Sequence, residues 1–155
     1  MKLFLFLGII TTNICEVFIL KNEIINELCA LSEEERKIII EKHKKNGVKI
    51  PLSDGIFIGK DVVIEEGAVI LPGSMLTGNT YVESLCHIGP DTVLYNTRVK
   101  KEASLNSVQA YDSIVGEKAD IGPFVHIRPG SNISEKVHLG NFVEVKNSNI
   151  DKGTK

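Results

Sequence analysis

The run IGKDVVIEEGAVILPGSMLTGNTYVESLCHIGPDTVL, residues 58–94, carries a large aliphatic at every sixth position: Ile58, Ile64, Ile70, Leu76, Val82, Ile88 and Leu94. Neither the 3.6-residue period of a helix nor the two-residue alternation of a half-buried strand produces that spacing. Four residues after each of the first six stands a small or β-branched residue: Val62, Ala68, Ser74, Thr80, Cys86 and Thr92. Each hexad reads as one short strand with its large side chain inward, then a tight corner that admits only a small inward group. Three hexads close a triangular coil of eighteen residues, and repeats of this kind stack as a parallel β-helix in which each repeat buries its face against its neighbours.

Toward the C-terminus the spacing resumes at Val115, Ile121, Ile127, Ile133, Leu139 and Val145, with Ala119, Val125, Ser131, Val137 and Val143 in the small position. Between Leu94 and Tyr111, through Val99 and Leu105, the period slips, which predicts a bulge or short loop projecting from one face. Gly59, Gly89, Gly116, Gly122 and Gly140 directly follow inward aliphatics and are expected to turn the chain with positive φ. Stacked at the inter-strand spacing, about five coils would make a prism on the order of 25 Å tall.

Toward the N-terminus, Asn22 to Gly47 reads as helix, with Ile24, Ile25, Leu28 and Leu31 on one stripe. Ser32-Glu33-Glu34-Glu35 is a capping box that restarts a second helix. Its acids sit at the positive end of the helix dipole and Lys42, Lys44 and Lys45 at the negative end; Asn46-Gly47 supplies a left-handed stop. His43, among these lysines, is expected to be exposed. Pro51-Leu52-Ser53-Asp54-Gly55 then marks a boundary. The predicted organisation is an apolar N-terminal segment over 1–21, a helical linker over 22–55 and the β-helix over 56–155.

The opening MKLFLFLGII has the charge and apolarity of a signal peptide, but Thr11-Thr12-Asn13-Ile14-Cys15 offers no small-x-small cleavage site. It is also shorter than the roughly 20 apolar residues of a transmembrane helix, so a buried strand, or the edge of a larger protein, is expected instead. A length of 155 residues suits one domain. With 18 basic and 20 acidic residues and a net charge of -2, the chain has no electrostatic footprint for nucleic acid or an acidic membrane. Cys15, Cys29 and Cys86 are odd in number and form no C-x-x-C, which supports neither a disulfide framework nor a thiolate zinc site and fits a reducing cytoplasm.

In a coil of eighteen, residues eighteen apart stack directly. Arg128 and Lys146 are such a pair, each just after an inward aliphatic, and His126 and Glu144 are a second. Stacked like charges destabilise unless something offsets them. Two readings remain open: solvated surface bases, or a phosphate site with Arg as a fork and Lys as a point charge. His87, His126 and His138 share a slot in their hexads, but the twelve-residue spacing of His126 and His138 places them on different faces, so no metal is expected. No G-x-S-x-G, P-loop or dinucleotide fingerprint is present.

The segments Ile121-Gly-Pro-Phe-Val-His-Ile-Arg-Pro-Gly130, Gly140-Asn-Phe-Val-Glu-Val-Lys-Asn147 and Gly153-Thr-Lys155 resemble bifunctional N-acetylglucosamine-1-phosphate uridyltransferase / glucosamine-1-phosphate acetyltransferase. Glu41-Lys42-His43 with Asn46-Gly47-Val48 is similar to the end of the helix joining that family's two domains, so the resemblance covers roughly Glu23 to Lys155. It implies a left-handed coil and a cytoplasmic homotrimer that moves acetyl from acetyl-CoA to the amine of glucosamine 1-phosphate, on the way to UDP-N-acetylglucosamine. Arg128 and Lys146 match the residues that hold the sugar phosphate.

The family's nucleotidyltransferase domain, with its Gly-rich loop and magnesium site, has no counterpart in these residues. In the family, the run matching Gly153-Thr154-Lys155 is followed by the general-base His and then by the coils that bind CoA. The resemblance therefore implies no catalytic residue within this chain, and a fragment inactive alone. Its alternatives are a structural or regulatory trimerisation module and a β-helix acyltransferase of another pathway.

Overall fold

Residues 19–155 are described by the structure, a computed structural model, so the apolar opening run and Cys15 lie outside the described residues. Helix α1 covers residues 19–30 and helix α2 spans Glu33–Lys45. The break between them is chemical. The Ser32 hydroxyl accepts from the backbone N–H of Glu35, and the Glu35 carboxylate accepts from the Ser32 backbone N–H at 2.9 Å, so two otherwise unpaired amides are satisfied reciprocally. Gly47, at φ +83°, takes the left-handed position that ends α2. On α1 the stripe is narrower than the sequence suggests. Ile24 is buried, as is Leu31 in the bend just beyond the helix, whereas Ile25 is half exposed, because one residue's advance rotates it about 100° away from the packed side.

From Phe57 onward the chain forms a parallel β-helix of 17 short strands in three sheets of six, six and five. The first face stacks Phe57–Ile58, Met75–Thr77, Val93–Tyr95, Val108–Tyr111, Val125–Ile127 and Glu144–Val145, in that order. The second runs from Val63–Ile64 to Asn149–Ile150, and the third from Val69–Ile70 to His138–Leu139. An isolated bridge from Lys49 to Val69 adds a rung to the third face, so the prism has closer to six coils than five. The hexad aliphatics fill its axis. Ile70, Leu76, Val82, Ile88, Leu94, Leu105, Ile127 and Ile133 have essentially no exposed surface. Small inward residues such as Ala68, Cys86 and Ala119 line the corners. The upper end is covered by Ile40, Val48, Ile50 and Ile56, which join the same core.

The slipped period between Leu94 and Tyr111 holds no projecting loop. Leu94 to Val99, Leu105 to Ala110 and Ala110 to Val115 are five-residue steps, and the strands they contain stay in register: Leu94 pairs with Ala110 and Val99 with Val115. The chain lost corner residues rather than gaining a loop. Each shortened corner turns on a polar residue in the left-handed region, Asn96 at φ 46°, Ser107 at 50° and Asp112 at 40°; the five-residue step from Val145 to Ile150 turns on Asn147 at 42°. Asn and Asp are among the few residues that tolerate that conformation.

Positive φ at the ordinary corners falls three residues after the inward aliphatic, not directly after it. Leu85, Lys118, Phe124, Lys136 and Phe142 occupy that position at φ 56–61°. Of the five glycines expected to turn the chain, only Gly89 and Gly122 have positive φ. Gly116 serves a different need: a Cβ there would lie 2.4 Å from the Ser134 carbonyl carbon of the next coil. Left-handed conformations at non-glycine residues cost about 1–2 kcal/mol each. They persist because most such amides donate to the coil before them, as from Phe124 to Ser107, Lys136 to Glu117 and Phe142 to Phe124 at 2.8–3.1 Å.

His43 departs from expectation: it is 5 % exposed, with Nδ1 lacking a partner. It lies on the inward side of α2, in its last turn beside Ile40. Burial, and secondarily Lys42, holds its imidazolium pKa below the ordinary value. The native state therefore resists protonation, so stability is complete above the unfolded value of about 6.5 and declines as pH falls below it. The urea midpoint is expected to fall between pH 7.5 and 5.5, and His43→Leu should flatten that slope. At the axis, Ile127→Ala should destabilise by about 2–5 kcal/mol, read from the same denaturation curves.

Candidate functional site

Arg128 and Lys146 are brought together as their spacing implies. Their strands pair His126 with Glu144 and Ile127 with Val145, and the Arg128 amide donates to the Val145 carbonyl at 2.8 Å. The cations thus follow one another on adjacent rungs of the first face. What spacing did not reveal is how Arg128 is held. Its Nη1 donates to Glu144 Oε1 at 3.1 Å, and its side chain is only 18 % exposed while Glu144 is open. Glu144, stacked against His126, therefore offsets part of the positive charge that a bare Arg–Lys pair would carry.

Arg128 also lines a pocket of about 150 Å³ between the first face and α1, together with Leu20, Lys21, Gln109, Tyr111 and His126. The His126 ring meets the edge of Tyr111 at 5.6 Å between centroids and 83° between planes. Burial lowers the His126 pKa, opposed by Glu144 and assisted by Arg128, and burial raises the Tyr111 phenol. At neutral pH the pocket wall therefore presents an uncharged imidazole and an uncharged phenol beside a guanidinium. The shortened corner at Asp112 sets this neighbourhood, because it brings Gln109, rather than a residue eighteen back, opposite His126.

Helix α1 roofs the pocket through polar contacts with the same face. The Gly78 backbone N–H donates to Glu27 Oε2 at 2.8 Å, and the Tyr95 hydroxyl donates to the Glu23 carboxylate. Burial is the larger cause, and Glu23 the second, that push the Tyr95 phenol up to about 12. No pattern in residues 19–30 announces that they return to lie over rungs that come 51 to 72 residues later.

The remaining histidines stand elsewhere. His87 and His138 are on the third face, where His138 Nδ1 lies 3.1 Å from Asp120 Oδ2. Among the described residues no group of three or more His, Cys, Asp or Glu could hold a metal ion, and no helix is long and apolar enough to cross a membrane. Cys86 is buried in the core with its thiol pushed up to about 11, chiefly by burial. A feature missed in the sequence is Phe124 and Phe142, whose rings stack at 5.6 Å on one corner with 61 % and 79 % of their surface exposed.

Coils of hexads, an axis of stacked aliphatics and a cationic edge on one face define a hexapeptide-repeat β-helix protein. The same architecture is found in a mutant of perosamine N-acetyltransferase from Caulobacter crescentus, solved in complex with CoA and GDP-perosamine. It superposes with a TM-score of 0.61 over 74 % of this chain and 57 % of that one, at 18 % identity. Residues 52–153 match the family described as GMPPB C-terminal domain, and the chain belongs to that family.

Among curated proteins it is 39 % identical over 129 residues to the bifunctional protein GlmU of Clostridium acetobutylicum, covering 83 % of this chain and 28 % of that protein. It is 40 % identical over 134 residues to GlmU of Geobacillus thermodenitrificans, covering 84 % and 29 %. The chain therefore spans under a third of the length of these relatives. The resemblance read from the Ile-Arg-Pro-Gly and Gly-Asn-Phe-Val-Glu segments is confirmed by them.

Because Glu144 is more than half exposed, its ion pair with Arg128 is a small contributor to stability. Glu144→Gln should change the unfolding free energy by less than about 1 kcal/mol, measured by urea denaturation at pH 7.

Proposed function

We propose that this chain is the sugar-phosphate-holding part of a hexapeptide-repeat acetyltransferase that N-acetylates glucosamine 1-phosphate with acetyl-CoA, in the cytoplasm and as a homotrimer, toward UDP-N-acetylglucosamine. The observation that carries the reading is the Arg128–Lys146 pair on adjacent rungs, within two of the segments read as resembling the bifunctional relatives. A guanidinium presents a planar fork to phosphate oxygens, and an ammonium one rung away adds a point charge. Glu144 holds Arg128 through Nη1, leaving further N–H donors of the guanidinium for a ligand.

Acetyl transfer needs a base within hydrogen-bond reach of the sugar amine. His43 is buried, His87 and His138 lie on another face, and His126 packs edge-on against Tyr111. By the family resemblance the base follows the Gly153-Thr154-Lys155 run, so these 155 residues alone supply binding and not turnover. The exposed Phe124–Phe142 stack favours a second reading, a structural or regulatory module that associates with a full-length relative through this corner. Co-purification with such a relative would support it, and a strictly monomeric chain by light scattering would remove it.

Isothermal calorimetry with glucosamine 1-phosphate tests the first reading. Arg128→Gln and Lys146→Gln should each weaken binding roughly tenfold or more, since a hydrogen bond to a charged group contributes about 1.5–3 kcal/mol. No measurable binding by the unsubstituted chain would overturn it. Acetyl transfer from acetyl-CoA by the 155-residue chain should be undetectable; robust turnover would show that a residue within it acts as the base.

A further inference from the structure

We infer that Lys21 of α1 is a further cationic ligand for the phosphoryl group, beside Arg128 and Lys146, so that α1 is a binding element of the site rather than only a linker. The inference rests on the reading that Arg128 holds a phosphate, and it adds a residue and a location to it. The pocket beneath α1 brings Lys21 to the same small volume as Arg128, with the Gln109 side chain on the same wall. None of the described residues lining it is a carboxylate. Two cations sharing a half-enclosed space repel, and an anion between them converts that repulsion into two attractions.

The chemistry of the walls selects the anion. Tyr111 and Leu20 exclude water from one side, and His126 faces the pocket uncharged, so a ligand meets two positive groups against an apolar background. Arg128 retains donors toward the pocket because Glu144 engages Nη1 from the next rung. A volume of about 150 Å³ equals that of a cavity known to hold one benzene ring. That accommodates a phosphoryl group and excludes a hexose attached to it. The sugar of a phosphate monoester would then project out of the pocket, with Lys146 on the adjacent rung still beside the phosphate.

Lys21 is not placed by chance. Six residues along the same helix, Glu27 caps the Gly78 amide, and two residues along, Glu23 receives the Tyr95 hydroxyl; Ile24, on the side between them, is buried. These contacts fix the height and rotation of α1 against the first face, and with them the position of Lys21 at the pocket.

Titration of the 155-residue chain with inorganic phosphate and with glucosamine 1-phosphate, followed by calorimetry and by ³¹P line broadening, tests the assignment. Lys21→Gln should weaken both ligands about tenfold. Lys21→Arg should restore most of the affinity, and neither substitution should move the thermal midpoint, because the side chain is on the surface. If Lys21→Gln binds phosphate as tightly as the unsubstituted chain while Arg128→Gln does not, Lys21 is no ligand and the Arg128 reading stands. If the unsubstituted chain binds neither compound, both fall.

Discussion

The whole molecule depends on one constraint: each coil can bury its aliphatics only against the coil before it and the coil after it. Inward residues at Ile58, Ile64 and Ile70 have no partner across a sandwich; below the α2 cap they have Leu76, Val82 and Ile88, one rung on. Because the rungs must stack, the corners must close in the same place on every coil. Columns of left-handed residues result, most of their amides tied to a carbonyl of the preceding coil. Local strain at Lys118, Phe124 or Phe142 is thereby held by long-range hydrogen bonds and axial burial rather than by any local preference of those residues.

The same constraint explains how the chain absorbs a broken repeat. When a hexad loses a residue, the strand on either side cannot shift, because a one-residue slip would turn Ala110 or Val115 out of the core. The loss is taken up entirely in the corner, where Asn96, Ser107 and Asp112 make a tighter turn. This has a functional consequence. The shortened corner at Asp112 brings Gln109, with Tyr111 on the same strand, beside His126, and so shapes the wall of the pocket that Arg128 enters.

Electrostatics on the first face are likewise a matter of stacking. Rungs place Glu144 beneath His126 and within reach of Arg128, so the guanidinium is oriented and partly neutralised by a neighbour sixteen residues away. Helix α1 contributes two carboxylates to the upper rungs and a lysine to the lower one. Its sequence has acidic and basic residues at unremarkable spacing, and only the surface against which it lies gives Glu23, Glu27 and Lys21 different tasks.

The sequence by itself determined the coil, the register and the pairing of Arg128 with Lys146. A six-residue period is a local property written in every hexad, and counting along it is equivalent to stepping around the prism. The capping box at Ser32 and Glu35 was legible for the same reason, since both partners lie within one turn of helix. Tertiary structure alone decided what depends on contacts between segments far apart in the chain. It placed α1 over the pocket, turned His43 into the core, left Phe124 and Phe142 stacked in the open, and absorbed the broken period at the corners. Periodicity reports which side of a strand faces inward. It carries no information about which distant surface a helix will meet, because that choice is made by the summed burial and hydrogen bonding of the assembled coils.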